Sequence, residues 1–315
     1  MLTNSLDAAV AQRSAAVHEQ RETVITVRGL RKSYGDREVV RGIDFEVRRG
    51  EVLAVLGPNG AGKTTTVEIL EGFRHADAGE VTVLGADPAH AGRAWRERIG
   101  VVLQTSVPEP GLTVRECLTL YAGYYRAPRA VEATLALVGL QDKADQRAQT
   151  LSGGQRRRLD VALALIGDPE LVFLDEPTTG FDPSARRAAW DLVDSLRALG
   201  VSIVLTTHYM EEAERLADRI VIIRDGEIVA TGTPRTLGGR DGAEAQITFA
   251  ARIEPAGFAV QRLSDGRFRL SSSAVAADLH ALSGWALSAG VELGELEVRR
   301  PTLEDVYLDL TGAHR

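Results

Sequence analysis

The chain has 315 residues, of which 44% are hydrophobic and 26% are charged, and its formal net charge is −7. This length predicts about two domains, and the apolar content excludes a mainly disordered chain. The acidic balance argues against a nucleic-acid partner, and the single cysteine, Cys117, excludes a disulfide scaffold. No apolar run reaches the roughly 20 residues of a membrane-spanning helix, and the first residues lack the apolar core of a secretory signal. These features predict a soluble cytosolic protein.

Short apolar strands alternate with helical segments along most of the chain, which is the order of a doubly wound α/β core. The run Val52–Leu56 has no polar alternation, as expected of a parallel strand buried on both faces. It leads directly into a glycine-rich loop and a helix. Residues 92–155 contain mainly helical patterns and predict a helical subdomain. Two further apolar strands, at 171–174 and 202–205, each precede a helix, and the turn 224–227 predicts a hairpin.

A Gly/Arg-rich stretch near 238–243 predicts a boundary between two domains. Beyond it we expect three short strands, a helix near 274–289, a strand near 291–298 and a last helix from Pro301. This pattern predicts a small α+β domain. The expected organisation is a tail at 1–22, an α/β domain at 23–238 and a C-terminal accessory domain at 243–315.

The loop after the first buried strand fits the G-x-x-x-x-G-K-S/T pattern of a phosphate-binding loop. Its glycines let backbone N–H groups converge on phosphate oxygens, and the next helix adds its positive N-terminal end. We expect Lys63 to contact the β and γ phosphates and Thr64 to ligate magnesium. Lysine is scarce among the 37 basic residues, which is typical of a high-GC genome and makes a chance match rare. The residues expected to bind the nucleotide are Gly57, Pro58, Asn59, Gly60, Ala61, Gly62, Lys63, Thr64 and Thr65.

Two acids and a histidine follow later strands. Neighbouring side chains of a strand point to opposite sides, so Asp175 and Glu176 can take different roles. Asp175 is expected to hold magnesium, directly or through water, and Glu176 to polarise the attacking water. For such a pair alone, a polar strand end is the common alternative, but the phosphate loop upstream favours the functional interpretation. His208 follows a strand at the edge where open α/β sheets bind ligands, and by itself is as compatible with a helix cap or a surface position.

The order of these motifs resembles that of the ATP-binding cassette (ABC) transporter ATPases. The resemblance rests on the phosphate loop, the sequence LSGGQ at Leu151–Gln155, the strand that ends in the two acids, and His208. Tyr34 matches the adenine-stacking aromatic, and Gln104 the glutamine of the Q-loop. The D-loop corresponds to Thr179–Asp182, where phenylalanine replaces the more usual leucine. The motifs together span residues 24 to about 235.

The resemblance implies a fold, a chemistry and partners. The fold is a P-loop NTPase core of the ABC type with a helical subdomain, and the cofactors are ATP and Mg²⁺. One phosphate loop and one LSGGQ sequence per chain imply that two copies pair head to tail around the nucleotides. The segment 92–150, hinged at Gln104, is the expected contact for membrane subunits. The implied catalytic residues are Lys63, Gln104, Glu176 and His208, the implied magnesium ligands are Thr64, Gln104 and Asp175, and the nucleotide contacts in trans are Ser152, Gly153, Gly154 and Gln155.

Two segments indicate a subgroup within the ABC transporter ATPases. The segment 300–312 and the stretch 68–88 are similar to those of drug-exporter ATPases of the daunorubicin-resistance type, which serve ABC-2-type membrane permeases. We therefore expect a bacterial ATPase subunit on the cytoplasmic side of the membrane that powers efflux. The segment 300–312 is also readable as a simple amphipathic packing helix. An importer ATPase, or a soluble ABC ATPase that acts on ribosomes or DNA, remains the alternative. The three arginines at 156–158 are expected on a solvated helix face.

Overall fold

The computed structural model of the protein describes residues 21–102, 111–240 and 242–311. The chain divides into two compact units, of which one ends at Thr231 and the other begins at Gly232. The Gly/Arg-rich stretch at 238–243, where the sequence predicted the boundary, begins a few residues after Gly232. The predicted domain bounds, 23–238 and 243–315, therefore stay a prediction. Most of the predicted N-terminal tail lies outside the described residues.

The first unit contains a three-stranded antiparallel sheet with the strand order β2-β1-β4. These strands are β1 (Thr23–Tyr34), β2 (Arg37–Arg48) and β4 (Ala78–Val83). Apolar side chains such as Ile25 and Val27 are buried on β1, while polar residues between them face outward. This alternation is what a sheet with one solvated face requires.

A second sheet of six strands, in the order β5-β6-β7-β3-β8-β9, forms the centre of the first unit. Strands β5, β6, β7, β3 and β8 run parallel. All five residues of β3 are buried, which confirms a central parallel strand. A two-residue turn at Asp225-Gly226 joins β8 to β9, as the sequence predicted. The strands are β3 (Val52–Leu56), β5 (Ile99–Val102), β6 (Leu171–Asp175), β7 (Ser202–Thr206), β8 (Arg219–Arg224) and β9 (Glu227–Gly232).

Seven helices of the first unit lie within the described ranges. The sequence indicated a mainly helical region from residue 92, but Ile99–Val102 is a strand because it pairs in register with β6, from Ile99 opposite Leu171. The remainder of that region is helical. The helices are α1 (Lys63–Leu70), α2 (Arg93–Arg96), α3 (Val114–Ala122), α4 (Val131–Val138), α5 (Gly153–Leu165), α6 (Pro183–Ala198) and α7 (Met210–Leu216).

The main apolar core lies between the two sheets and α1. Alternate residues of β3, Leu53 and Val55, contribute to it, together with Phe173 of β6 and Leu70 of α1. Phe173 is completely buried, and truncating a phenylalanine in such a position typically costs about 3–5 kcal/mol. This packing holds the ends of β3, β6 and β7 in fixed positions relative to α1.

The second unit is a small α+β fold, as the sequence predicted. Its four antiparallel strands have the order β11-β12-β10-β13. Alternate residues of β10 and β12, including Phe249 and Phe268, pack with Leu282 in a core of their own. Within the described part of the chain, no helix is long and apolar enough to span a bilayer. The elements are β10 (Ala245–Ala250), β11 (Val260–Arg262), β12 (Phe268–Ser272), α8 (Val275–Ala289), β13 (Gly294–Arg299) and α9 (Leu303–Thr311).

Candidate functional site

The phosphate loop joins β3 to α1, and two of its glycines lie where no side chain fits. A Cβ atom at Gly57 would lie 2.2 Å from the carbonyl oxygen of Ile223. At Gly62 it would lie 2.7 Å from the carbonyl oxygen of Val39, and the backbone there has a φ of +104°. The neighbouring strands therefore close around the loop, and only glycine permits this approach.

The ammonium group of Lys63 is held inside the loop. Its Nζ donates hydrogen bonds to the carbonyl oxygens of Gly57 at 2.8 Å and Pro58 at 3.1 Å, and the residue is 7% exposed. Burial lowers the pKa of Lys63, and the negative charges of Glu176 and Asp175 act in the opposite direction. A buried cation that carbonyl dipoles hold in place is suited to bind an incoming phosphate oxygen.

The two acids lie at the carboxyl end of β6, which β7 separates from the strand that leads into the phosphate loop. Thr206 of β7 stands opposite Asp175 of β6 and opposite Val55 of β3. The Thr206 hydroxyl donates to Asp175 Oδ1 at 2.5 Å, which fixes the rotamer of that carboxylate. The parallel register thus places Asp175 two strands away from β3, with Thr206 of the intervening strand β7 between them.

Glu176 leaves the strand in a left-handed conformation, with a φ of +45°. Its backbone N–H lies 3.1 Å from both the carbonyl oxygen and the hydroxyl of Thr206. On its side chain, Oε2 accepts a hydrogen bond from the Thr179 hydroxyl at 3.0 Å, and Oε1 lies 3.4 Å from Nδ1 of His208. The Glu176 side chain is 17% exposed and that of His208 is 41% exposed. Two neighbouring segments therefore orient this carboxylate.

His208 lies just beyond β7, as predicted, and its ring packs on that of Tyr209 at 4.1 Å between centroids. The structure brings His208, Glu176 and Lys63 to one edge of the sheet, because β3, β6 and β7 are adjacent and parallel. This edge is where ligands bind in open α/β sheets. The His208 side chain is 41% exposed, so its functional role stays a prediction that its contact with Glu176 supports.

The LSGGQ sequence forms the start of α5. The Ser152 hydroxyl accepts from the backbone N–H of Gln155 at 3.3 Å, and the Gln155 side chain accepts from the N–H of Ser152 at 3.0 Å. In this capping box the hydroxyl uses only a lone pair, so its proton stays available to donate. The N–H groups of Gly153 and Gly154 stand at the same positive helix end.

The expectation that all three arginines at 156–158 face solvent is wrong for Arg157. This residue is 9% exposed, and its guanidinium donates to the carbonyl oxygens of Asp175 at 2.9 Å and Pro177 at 3.3 Å. Burial lowers the pKa of Arg157 from its ordinary value, although Asp160, Asp175 and Glu212 act in the opposite direction. The helix that starts at LSGGQ is thus tied to the backbone around Asp175 and Glu176.

Two further predicted residues lie at the margins. Tyr34 is 42% exposed at the end of β1, with the cations of Lys32 and Arg74 at 5.7 and 5.5 Å from its ring centroid. It pairs with Arg37 at the tip of the β1–β2 hairpin. The second strand of this hairpin contacts the phosphate loop, where the backbone of Val39 lies against Gly62. Gln104 lies outside the described residues.

The oxygen atoms at this edge suit a hard divalent cation. Thr64, the second residue of α1, offers a hydroxyl, and Asp175 offers a carboxylate. Such oxygen ligands are those that Mg²⁺ prefers. A magnesium-bound triphosphate also matches the cationic loop.

Sequence reasoning missed Arg157 and Thr206, because both act through partners far away in the chain. The local signal for Thr206 is a polar residue at the end of an apolar strand. The local signal for Arg157 is an arginine on the buried face of a helix.

Comparison with known families and proteins identifies the family of the chain. The family model described as ABC transporter matches residues 40–179. A second model, for the C-terminal domain of ABC transporter domain-containing protein-like sequences, matches residues 248–302. Daunorubicin resistance ATP-binding protein DrrA3 of Streptomyces coeruleorubidus is 41% identical in an alignment of 308 positions that covers 93% of this chain and 98% of that protein. Nod factor export ATP-binding protein I of Burkholderia pseudomallei (strain 1710b) is 42% identical in an alignment of 301 positions that covers 90% of this chain and 95% of that protein.

Solved structures show the same fold. The structure of an ATP-binding subunit of an ABC transporter superposes with a TM-score of 0.61 at 30% identity and covers 68% of this chain and 91% of that chain. An ATP-binding cassette in its ADP conformation gives a TM-score of 0.60 at 26% identity, covering 67% of this chain and 91% of that chain. Given these relatives and the phosphate-loop site at the sheet edge, the chain belongs to the ATP-binding, ATP-hydrolysing subunits of the ABC transporter family.

Proposed function

We propose that this chain is the ATPase subunit of a bacterial exporter that drives efflux of a drug or another small molecule through separate ABC-2-type membrane subunits. The observation that carries the catalytic part is the grouping of Lys63, Asp175, Glu176 and His208 at the carboxyl ends of three adjacent strands. No other grouping within the described residues combines a phosphate loop with a carboxylate and a histidine in contact.

Each of these side chains has a distinct role in the proposed reaction. The Lys63 ammonium exchanges its loop carbonyls for phosphate oxygens and stabilises the charge that develops on them. The Glu176 carboxylate orients and polarises the attacking water, while His208 and the Thr179 hydroxyl hold its two oxygens. Thr64 and Asp175 would hold Mg²⁺, which when bound neutralises phosphate charge.

A complete site in this proposal needs two copies of the chain. Ser152, Gly153 and Gly154 present a hydroxyl proton and helix-end N–H groups, which together form an anion cradle. Each chain has one phosphate loop and one such cradle. A head-to-tail pair would hold each nucleotide between the loop of one copy and the cradle of the other.

The proposal that transport is outward is supported by the names of the relatives, whereas the residues at the sheet edge do not distinguish export from import. The relatives named for daunorubicin resistance and for Nod factor export align with both units of this chain, including the C-terminal α+β unit. We infer that this chain serves efflux in the same way, as a peripheral subunit on the cytoplasmic face of the membrane. Tyr34, at the hairpin tip, would stack on the adenine, and Gln104 would act between the site and the membrane subunits.

ATP turnover by Glu176→Gln tests the catalytic assignment. This change keeps the shape of the side chain and its contact with Thr179 but removes the charge that polarises water, so turnover should fall by about 100-fold or more while ATP still binds. Glu46→Gln is the matched control, because Glu46 is an exposed acid paired with Arg28. Steady turnover of Glu176→Gln at the wild-type rate would refute the role of Glu176.

Purification of the chain from membranes with its bound partner tests the export assignment. A partner with about six spanning helices, and no associated solute-binding protein, is the outcome that the proposal requires. Co-purification with a solute-binding protein would show an importer, and salt-resistant association with ribosomes would show a non-transport ATPase.

A further inference from the structure

A guanidinium and two aromatic rings form a row of contacts that ends at Glu176. Arg186, in the first turn of α6, places its guanidinium carbon 4.5 Å from the centroid of the Tyr209 ring. The Tyr209 ring packs on the His208 imidazole at 4.1 Å between centroids, with 40° between the ring planes. His208 Nδ1 in turn lies 3.4 Å from Glu176 Oε1. This aromatic row, made of Arg186, Tyr209 and His208, connects the carboxylate proposed to polarise water with α6.

The Tyr209 ring is the main contact of the Arg186 guanidinium. Glu211 is a second neighbour, with its Oε2 at 3.8 Å from Arg186 Nη1, but its side chain is 73% exposed and water weakens the pair. The Arg186 side chain is only 22% exposed, and its Nε has no hydrogen-bond partner among the described residues. A cation within about 6 Å of a ring centroid is attracted to the ring, and more strongly where water is partly excluded.

A buried contact between α6 and α7 fixes the place where the guanidinium meets the ring. Trp190 of α6 donates its indole N–H to Oε1 of Glu212 in α7 at 3.2 Å, and both residues are buried. Arg186 lies one helical turn before Trp190. Tyr209 immediately precedes α7, and its backbone N–H donates to the Thr207 hydroxyl at 3.0 Å. The two ends of the Arg186–Tyr209 contact are therefore held by separate, well-packed segments.

The chain around α6 reaches Glu176 from a second side as well. Thr179, whose hydroxyl donates to Glu176 Oε2 at 3.0 Å, lies in the segment that leads into α6 at Pro183. One carboxylate oxygen is thus held by the segment before the helix. The other oxygen is held through the aromatic row, which starts from the first turn of the same helix.

We propose that Arg186 and Tyr209 are positioning residues, which hold the His208 imidazole against Glu176 so that the carboxylate keeps its orientation toward the attacking water. The inference rests on the proposed roles of Glu176 and His208. Arg186 acts on Tyr209, and Tyr209 acts on His208, so neither residue contacts the nucleotide in this scheme. Loss of the aromatic row should therefore lower kcat and leave ATP binding nearly unchanged.

The test replaces the two residues in the full-length chain and measures kcat and KM for ATP. Arg186→Met keeps a long side chain but removes the cation, so kcat should fall about fivefold while KM changes less than about twofold. Tyr209→Leu removes the ring at the centre of the row and should lower kcat about tenfold. Tyr209→Phe keeps the ring and should retain kcat within about twofold of the parent chain.

Arg187→Met is the matched control, because Arg187 is the next residue of α6 and is exposed. Its kcat should equal that of the parent chain. A His208→Ala background separates positioning from a general loss of stability. Because the two positioning residues act through His208, neither Arg186→Met nor Tyr209→Leu should lower the kcat of His208→Ala further.

Wild-type kcat in either Arg186→Met or Tyr209→Leu, or effects that multiply with that of His208→Ala, would overturn the inference. If Arg186→Met does not fold, the two Tyr209 variants carry the test, and equal kcat in Tyr209→Leu and Tyr209→Phe would overturn it as well. If His208→Ala itself keeps wild-type turnover, the proposed role of His208 fails. If His208→Ala is slow and Arg186→Met is not, the inference alone fails.

Discussion

Replacing Glu71 by glutamine should stabilise the first unit at neutral and alkaline pH. Glu71 follows α1 at the far end from the phosphate loop and is 6% exposed. Burial is the main cause that raises its pKa from 4.5 to about 8, and the charges of Asp175 and Glu68 raise it further. A carboxylate at the C-terminal end of a helix also meets the negative end of the helix dipole.

The size and sign of the effect follow from these pKa values. Because the folded-state pKa lies above the unfolded value, the proton binds more tightly to the folded chain. The contribution of Glu71 to the free energy of unfolding is therefore fully present below about pH 4.5, decreases as the pH rises, and is lost above about pH 8. At about 1.4 kcal/mol per pH unit, the loss is about 5 kcal/mol above pH 8 and about 3 kcal/mol at pH 7. Glutamine cannot ionise, so Glu71→Gln avoids this loss.

Urea unfolding at about pH 5, 7 and 9 measures this prediction. A Trp285→Phe background leaves Trp95 and Trp190 as fluorescence probes, and both lie in the first unit. The stability gain of Glu71→Gln should increase from near zero at about pH 5 to several kcal/mol at about pH 9.

Glu46→Gln serves as the control, because its exposed ion pair with Arg28 at 2.9 Å is worth less than about 1 kcal/mol. Its effect should not increase with pH over this range. A stability difference between Glu71→Gln and the parent chain that is the same at all three pH values would refute the reasoning.

Three further changes have definite expected outcomes. Arg157→Met removes two buried hydrogen bonds to backbone carbonyls and should lower the free energy of unfolding by about 2–4 kcal/mol. The midpoint of urea unfolding measures this loss, and an unchanged midpoint would show that these hydrogen bonds do not stabilise the fold. Ser152→Ala removes the helix cap and should cost about 1 kcal/mol in the same assay, whereas Ser152→Thr, which keeps the cap, should not. Gly57→Ala places a Cβ 2.2 Å from the carbonyl oxygen of Ile223 and should abolish ATP binding in calorimetry. Gly92→Ala, where a Cβ meets open space, should bind ATP as the parent chain does.

The sequence located those site residues whose role depends on local position. The phosphate loop, the Asp175–Glu176 pair and His208 all follow apolar strands, and the alternation of strands and helices implies that such ends meet at one edge. Strand β5 was not predicted, because four residues of strand pattern between helical segments become a strand only through pairing with β6. Arg157 and Glu212 were missed for a related reason. Each is an ordinary charged residue on a helix, and only the three-dimensional packing shows that it is buried among polar partners.

The left-handed backbone of Glu176 has a consequence for how this protein can change over generations. A non-glycine residue in that conformation costs of order 1 kcal/mol, which glycine or asparagine at the same place would recover. In a related protein that is not selected for ATP hydrolysis, replacing Glu176 by glycine or asparagine would therefore raise the free energy of unfolding. On the proposed role of Glu176 in hydrolysis, a change there to glycine in a related gene would remove the carboxylate that polarises water while leaving the fold intact.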